Sequence, residues 1–250
     1  AKKLKLNFID IDKEIEKKLD QSISKIFETK GEKFFRKFEE KVTLKKLKLS
    51  SFAQKKHKKL EASVLQTADE LLVTSHKTKT LFLELTNTPI SVLTNGFDFE
   101  INDKIILDSK FTLSHIGSLL EGRNPSILWT VLSDLIKESE DFAAAFQLNL
   151  IGSVSKEVMG AICSFGLESY VCNTGYIPHS DVLESQKKTQ LLLLIEEDSK
   201  ETEYIIPGKL FEYMASKRPI IAIGTQASDI EKILNQTQSG TYFRYDEGAA

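Results

Sequence analysis

Residues 191–224 read LLLLIEEDSKETEYIIPGKLFEYMASKRPIIAIG. Leu191 to Ile195 is wholly apolar, without the period-two alternation of a half-exposed strand, which predicts a strand covered on both faces. Ile206-Pro207-Gly208-Lys209 leads into a predicted helix over Gly208 to Ser216, and Pro219 to Ile223 makes a second apolar strand. Strand, helix and strand in that rhythm build a parallel sheet wound on both sides.

The same rhythm extends outward. Upstream, His115-Ile116 is a strand meeting Gly117, and Asn124 with Pro125 predicts a helix start running through Ile136. Phe146 to Ile151 is a strand ending at Gly152, Ser155 opens a helix to Phe165, Tyr170 to Cys172 is a strand, and Ser180 to Gln190 is helical. Downstream, Ser228 with Glu231 forms a capping box for a helix reaching Asn235, with Gly240 after it. Before residue 113 the pattern changes. The first 65 residues have few Gly, no Pro and charge-rich turns between apolar positions, which predicts helices. Leu71 to Val73 and Pro89 to Leu93 are short strands, with Ser75 capping a helix through Leu85 and Asn95-Gly96 closing in a turn. The expected organisation is a largely helical amino-terminal part over 1–98, a linker over 99–112 and a doubly wound α/β domain over 113–250.

The 250 residues are 41% hydrophobic and 28% charged, a composition that excludes fibrous and wholly disordered classes. The net charge of −2 is unevenly spread. Residues 1–60 hold 18 Lys and one Arg against 9 acids, a balance of +10, so the other 190 residues carry −12. Such a basic segment fits either an anionic surface or a solvated helical face. Ile15, Leu19 and Ile23, and likewise Phe34, Phe35 and Phe38, fall at helical spacing and are expected to face a neighbouring domain. Cys163 and Cys172 match neither a disulfide framework nor a zinc spacing, no run spans a bilayer, and no leader opens the chain, so a cytoplasmic location is expected.

In open parallel sheets, ligands bind beyond the carboxyl ends of the strands. Gly117 to Gly122 is followed by Arg123-Asn124 and not by Gly-Lys-Ser, which argues against a Walker ATPase, and no Gly-x-Gly-x-x-Gly follows a strand. Gly117 with Arg123 fits a diphosphate approaching backbone N–H groups, or equally an ordinary tight turn. Lys209 at a helix start and Glu212 one turn on fit the diphosphate and ribose of a nucleotide, although i,i+3 pairs of this kind are usually surface contacts. His57, His76, His115 and His179 show no metal-ligand spacing, and no hydrolase elbow exists.

Taken together, Ile116-Gly117-Ser118-Leu119, Arg123-Asn124-Pro125, Gly175 to His179, Pro207 to Ser216 and Arg218 to Ile221 resemble the carboxy-terminal domain of group 1 (family 4-like) retaining glycosyltransferases of the GT-B fold. Ala68-Asp69-Glu70 and Leu93 to Asp98 resemble the end of that family's amino-terminal domain. The resemblance implies a Rossmann-like sheet binding a nucleotide-diphosphate sugar, and a hexosyl transfer, without metal or other cofactor, to a saccharide or lipid-linked acceptor in cell-surface polysaccharide biosynthesis. It implies donor contacts from Gly117, Ser118, Arg123, Tyr176, Ile177, Lys209 and Glu212: the glycine and its neighbour at the diphosphate, Arg123 and Lys209 neutralising it, Tyr176-Ile177 bordering the base, and Glu212 on the ribose. It assigns no catalytic residue, no metal ligand and no nucleic acid partner. Contact with the inner face of a membrane through residues 1–60 is the expected peripheral interaction. Tyr204 stands where many members carry a second, sugar-contacting glutamate, and the chain opens in charged helical sequence where the family has a strand and a Gly-rich loop. A fragment, or a non-catalytic donor-binding module lacking the acceptor domain, is the alternative expectation.

Overall fold

The computed structural model describes residues 10–47, 51–98, 106–199, 204–226 and 228–245. The chain divides into two compact units, residues 1–67 and 68–250.

The first unit is helical, with α1 over Ile11–Leu19, α2 over Ile23–Leu47 and α3 over Ser51–Thr67. Asp10 caps α1 by accepting from the Lys13 amide, and Gly31 (φ 76°, ψ 166°) breaks the helical path inside α2. Ile15, Ile26, Phe35 and Val42 are buried together, with Leu19, Ile23 and Phe38 packed on them. The apolar stripes therefore pack against one another within this unit, which departs from the sequence expectation of a neighbouring domain. Phe34 lies outside that core, stacked on Phe38 at 5.7 Å between ring centroids, with the Lys30 ammonium 4.8 Å from the Phe34 ring centroid.

The second unit begins with a small βαβ element: β1 (Leu71–Val73) pairs in parallel with β2 (Ile90–Val92) around α4 (His76–Leu83). Ser75 caps α4 as its sequence predicts, its hydroxyl accepting from the Thr78 amide at 3.0 Å. Then come β3 (Phe111–Ile116), α5 (Ser126–Glu138), α6 (Glu140–Ala145), β4 (Phe146–Ile151), α7 (Lys156–Ser164), β5 (Val171–Gly175), α8 (His179–Lys188), β6 (Leu191–Ile195), α9 (Lys209–Ala215), β7 (Ile220–Gly224), α10 (Asp229–Thr237) and β8 (Gly240–Arg244). β3 to β8 form one wholly parallel sheet in the order β5-β4-β3-β6-β7-β8. This is α/β architecture with a Rossmann-like doubly wound sheet, as expected.

Each face has its own core. Trp129 and Leu132 of α5 with Val158 and Ile162 of α7 cover Leu113, Phe146, Leu148, Leu150 and Leu193. Leu210 and Tyr213 of α9 with Ile230 and Leu234 of α10 cover Ile116, Ile151, Leu192, Leu194 and Ala222 on the other face. β6 is buried as its unbroken apolar run predicts. β4 and β5 differ. β4 alternates, with Phe146, Leu148 and Leu150 buried while Gln147 and Asn149 are half-exposed, and β5 is largely open. The middle of β4 is covered on one face only, while Ile151 at its end joins the second core and β5 is an exposed edge strand.

Two helix starts also depart from expectation. α5 begins at Ser126, and Asn124 uses its side-chain oxygen to accept from the Trp129 indole N–H at 2.7 Å, anchoring the ring that fills the core. Ser228 caps α10, but Glu231 turns away from a capping box and meets Arg244 of β8 at 3.2 Å.

Candidate functional site

The strand order reverses between β3 and β6, so the crevice beyond their carboxyl ends is where a ligand fits. The loop after β3 is shaped for it. Gly117 has φ +119° and Gly152, after β4, has φ +121°, a region that side chains rarely occupy. The Gly117 amide donates to the Ile151 carbonyl at 2.7 Å and the Gly152 amide to the Gly175 carbonyl at 2.7 Å, so three strand ends are laced together by backbone alone. A Cβ on Gly152 would lie 2.5 Å from the Gly117 oxygen.

Two cations converge on that loop. Lys209, the first residue of α9, reaches across to donate from Nζ to the Ile116 carbonyl at 3.0 Å, and a Cβ on Gly117 would stand 3.1 Å from that nitrogen. Arg123 donates from Nη1 to the Ser118 carbonyl at 3.2 Å. Burial, and then the Arg123 charge, lower the Lys209 ammonium to about 8, with Glu212 opposing. The Tyr213 hydroxyl, fully buried, accepts from the Ile116 amide at 3.1 Å and fixes the last peptide of β3. Beneath the loop, His115 is fully buried with Nδ1 3.1 Å from the Leu193 carbonyl, which places the hydrogen on Nδ1. Burial and the charges of Lys209 and Arg123 hold it well below the usual histidine range, so it is neutral. Two positive groups at the glycine turn, with no carboxylate among the described residues bonded to either, suit a multiply charged anion.

Gly117, Ser118, Arg123 and Lys209 are thus brought together. Glu212 lies one turn along α9 with Oε2 accepting from Gln186 Nε2 of α8 at 3.0 Å. Lys209 and Glu212 are bonded to different elements, so they are not a mutual surface pair. Tyr176 and Ile177 follow β5, two strands away: Ile177 packs on the Ile116 core while Tyr176 is 90% exposed.

Sequence reasoning missed Glu196. It follows β6 directly, is 8% exposed, and accepts from the Ser228 hydroxyl at 3.0 Å and from the Tyr242 hydroxyl. Asp229, beside it, accepts from the Lys77 amide of α4 at 2.9 Å, tying the βαβ element to the large sheet. A glutamate after an apolar strand reads as loop, and its partner Tyr242 sits on β8, whose five residues gave no strand signal. Burial pushes the Glu196 carboxyl up, against the hydrogen bonds that favour its charged form. A raised folded pKa stabilises below the unfolded value and loses that contribution as pH rises through the folded one. Glu196→Gln, which mimics the protonated form, is expected to flatten this loss, so urea unfolding from pH 5 to pH 8 should show a smaller fall in stability than the parent.

Comparison with known proteins gives two separate signals. A family model described as shikimate kinase matches residues 1–77. Shikimate kinase of Bacillus subtilis is 59% identical over 44 residues, 18% of this chain and 24% of its own length, and that of Bacillus pumilus is 56% identical over 39 residues, 16% and 21%. The chain therefore spans about a quarter of the curated relatives it matches. Among solved structures, WaaG, a glycosyltransferase involved in lipopolysaccharide biosynthesis, superposes with a TM-score of 0.57 at 15% identity, covering 79% of this chain and 55% of that one. Sucrose-phosphate synthase from Thermosynechococcus elongatus gives 0.54 at 14% identity over 79% and 51%, and Anabaena HepE in complex with UDP gives 0.50 at 19% over 71% and 50%. This chain thus spans about half of each structure. By fold it is α/β of the GT-B type, as the resemblance implies, and the shikimate kinase model matches residues 1–77.

Proposed function

We propose that the chain carries the donor half of a glycosyltransferase, moving a hexose with retention from a nucleotide-diphosphate sugar to a saccharide or lipid-linked acceptor of the cell surface. The observation that carries the reading is the convergence of Lys209 and Arg123 on the Gly117 turn at the reversal of strand order. Catalysis of transfer requires stabilising the diphosphate as it leaves, and fixed cations with oriented amides do this without a metal. Uridine is the base we favour, since HepE is seen with UDP. On this reading residues 113–250 are the donor domain, 99–112 the linker, of which 99–105 lie outside the described residues and Phe111 and Thr112 already open β3, and 1–98 the end of the acceptor side. The shikimate kinase match stops at residue 77 and includes none of the crevice residues named here. A second reading, a binding module that does not turn over, is favoured by the half-length coverage of the solved structures. Titrating UDP-glucose separates the two: binding with UDP release supports the enzyme, binding without release the module, and no binding removes both.

Glu212 is assigned to the ribose hydroxyls. Glu212→Ala should lower affinity for uridine, UDP and UDP-glucose by a similar factor, about tenfold or more for a lost charged hydrogen bond. Calorimetry with the three ligands checks this, and Glu212→Gln should restore part of the Gln186 contact without the full ribose affinity.

Among the described residues no helix is long and apolar enough to cross a membrane. The +10 balance of residues 1–60 supports peripheral contact with an anionic surface, each Lys adding about 1 kcal/mol at low salt. Co-sedimentation should then be stronger with phosphatidylserine vesicles than with neutral ones, and equal sedimentation removes the proposal.

A further inference from the structure

A doubly wound sheet normally hides both faces, yet β4 and β5 leave one face open, and that face is polar and concave. Thr112, Ser114, Gln147, Asn149, Cys172 and Thr174 lie in rows across β3, β4 and β5, with Thr112 opposite Gln147 and Ser114 opposite Asn149, which is opposite Cys172. The end of α8 and the Asp108–Lys110 turn rise beside them, enclosing about 390 Å³. That is within the roughly 300–1,000 Å³ of small-molecule sites.

The polar groups are held in place. Gln147 Nε2 donates to Asn149 Oδ1 at 2.7 Å, Asn149 Nδ2 donates to the Ser114 hydroxyl at 3.2 Å, and Ser114 and Thr189 hydroxyls meet at 2.7 Å. Thr112 continues the chain to Gln190 Oε1 at 2.7 Å and to Asp108 Oδ2 at 3.0 Å. Ser114, Thr112 and Thr189 are buried, so this network anchors the two amides that face the groove. Each amide keeps a second N–H and a further lone pair beyond the bonds named.

We propose that this groove binds a neutral saccharide. Its floor offers amide and hydroxyl groups that donate and accept at close intervals, which is what adjacent sugar hydroxyls need. A phosphate would call for converging cations with no carboxylate among them, and here Lys110 and Lys188 share the lining with Asp108. A metal would call for several carboxylates or imidazoles together, and the described residues hold no such group. No aromatic ring lines the groove, so stacking is missing and the affinity is weak, with a Kd on the order of 1 mM. The groove runs along β4 from Gln147 to Ile151, so one end meets the rim of the crevice, while Gln147 lies five residue steps, roughly 16 Å, from Gly152.

Saturation-transfer NMR on the full chain tests this, with maltotriose, cellotriose and chitotriose as separate probes. The expected result is transfer to at least one trisaccharide, unchanged by saturating UDP and weakened at least fivefold in Thr174→Val and in Gln147→Leu. Thr174 is exposed and the substitution is isosteric, so that variant keeps the test valid should Gln147→Leu fail to fold. No transfer to any of the three overturns the proposal, as does transfer that Thr174→Val leaves unchanged. Transfer abolished by UDP also overturns it, because the sugar is then in the crevice. Because the readout is sugar without nucleotide, failure here leaves the donor reading standing, and failure to bind UDP leaves this proposal standing.

Discussion

Lys209→Ala is expected to cut affinity for UDP and UDP-glucose by about 1.5–3 kcal/mol, the range for a hydrogen bond to a charged group, while uridine binds as to the parent. The asymmetry follows from position. Lys209 Nζ is bonded to the Ile116 carbonyl and stands 3.1 Å from where a Gly117 side chain would begin, against the turn assigned to the diphosphate and away from Glu212's contact with α8. A monophosphate should show a smaller loss than a diphosphate, because less charge is left uncompensated.

The same residue sets a pH dependence. Burial and Arg123 bring the Lys209 ammonium to about 8, so in the empty site it is charged below that pH and increasingly neutral above it. A bound diphosphate favours the charged form, so binding draws in a proton at mildly alkaline pH. UDP affinity should fall as pH rises from about 7 to 9 in the parent and fall much less in Lys209→Ala. Calorimetry at pH 8 in buffers of different ionisation enthalpy should report proton uptake for the parent alone. Equal UDP affinity in both proteins, with the same pH profile, removes Lys209 from the site. Lys209→Arg keeps the charge but is larger than the gap beside Gly117, so partial recovery is expected, not full affinity.

What was legible in the sequence follows the strength of local signals. β6, α9 and β7 were readable because an apolar run, a Pro-Gly helix start and a second apolar run agree with one another, and the structure puts Leu192, Leu193 and Leu194 fully inside. Ser75 and Ser155 were readable as caps because a cap acts on an amide three residues away, and Ser155 indeed accepts from the Val158 amide. Features that depend on distant residues were not. Asn124 looked like a cap, but the Trp129 indole takes its oxygen, and Glu231 looked like half a capping box until β8 brought Arg244 beside it. The open face of β4 was written in the alternation of Phe146-Gln147-Leu148-Asn149-Leu150, a pattern outweighed by the rhythm of its neighbours. The candidate site behaves alike: Gly117, Arg123 and Lys209 were recognisable as types, whereas His115 and Glu196 gain their environment from Leu193, Ser228 and Tyr242, far along the chain.

Gly152→Ala is expected to be strongly destabilising, costing on the order of 3 kcal/mol in stability. Two effects add. The backbone at φ +121° is strained for any residue bearing a Cβ, and that Cβ would lie 2.5 Å from the Gly117 oxygen and 2.9 Å from its carbonyl carbon. Those atoms are backbone, so no rotamer change relieves the clash. The loops after β3 and β4 must separate, which stretches the 2.7 Å bond from the Gly117 amide to the Ile151 carbonyl and displaces the Ile116 peptide that Lys209 and Tyr213 hold. Gly117→Ala makes a useful contrast: its φ of +119° carries similar backbone strain, but its Cβ meets only the side-chain nitrogen of Lys209, at 3.1 Å, and no backbone. It should lose less stability and chiefly diphosphate affinity, the methyl group occupying the space a phosphate would need. Urea unfolding with UDP titration separates the pair: Gly152→Ala lowers stability first and affinity as a consequence, and Gly117→Ala lowers affinity with the larger share of stability retained. Should Gly152→Ala unfold like the parent, the two loops are not packed backbone to backbone, and the geometry assigned to the diphosphate turn fails with them.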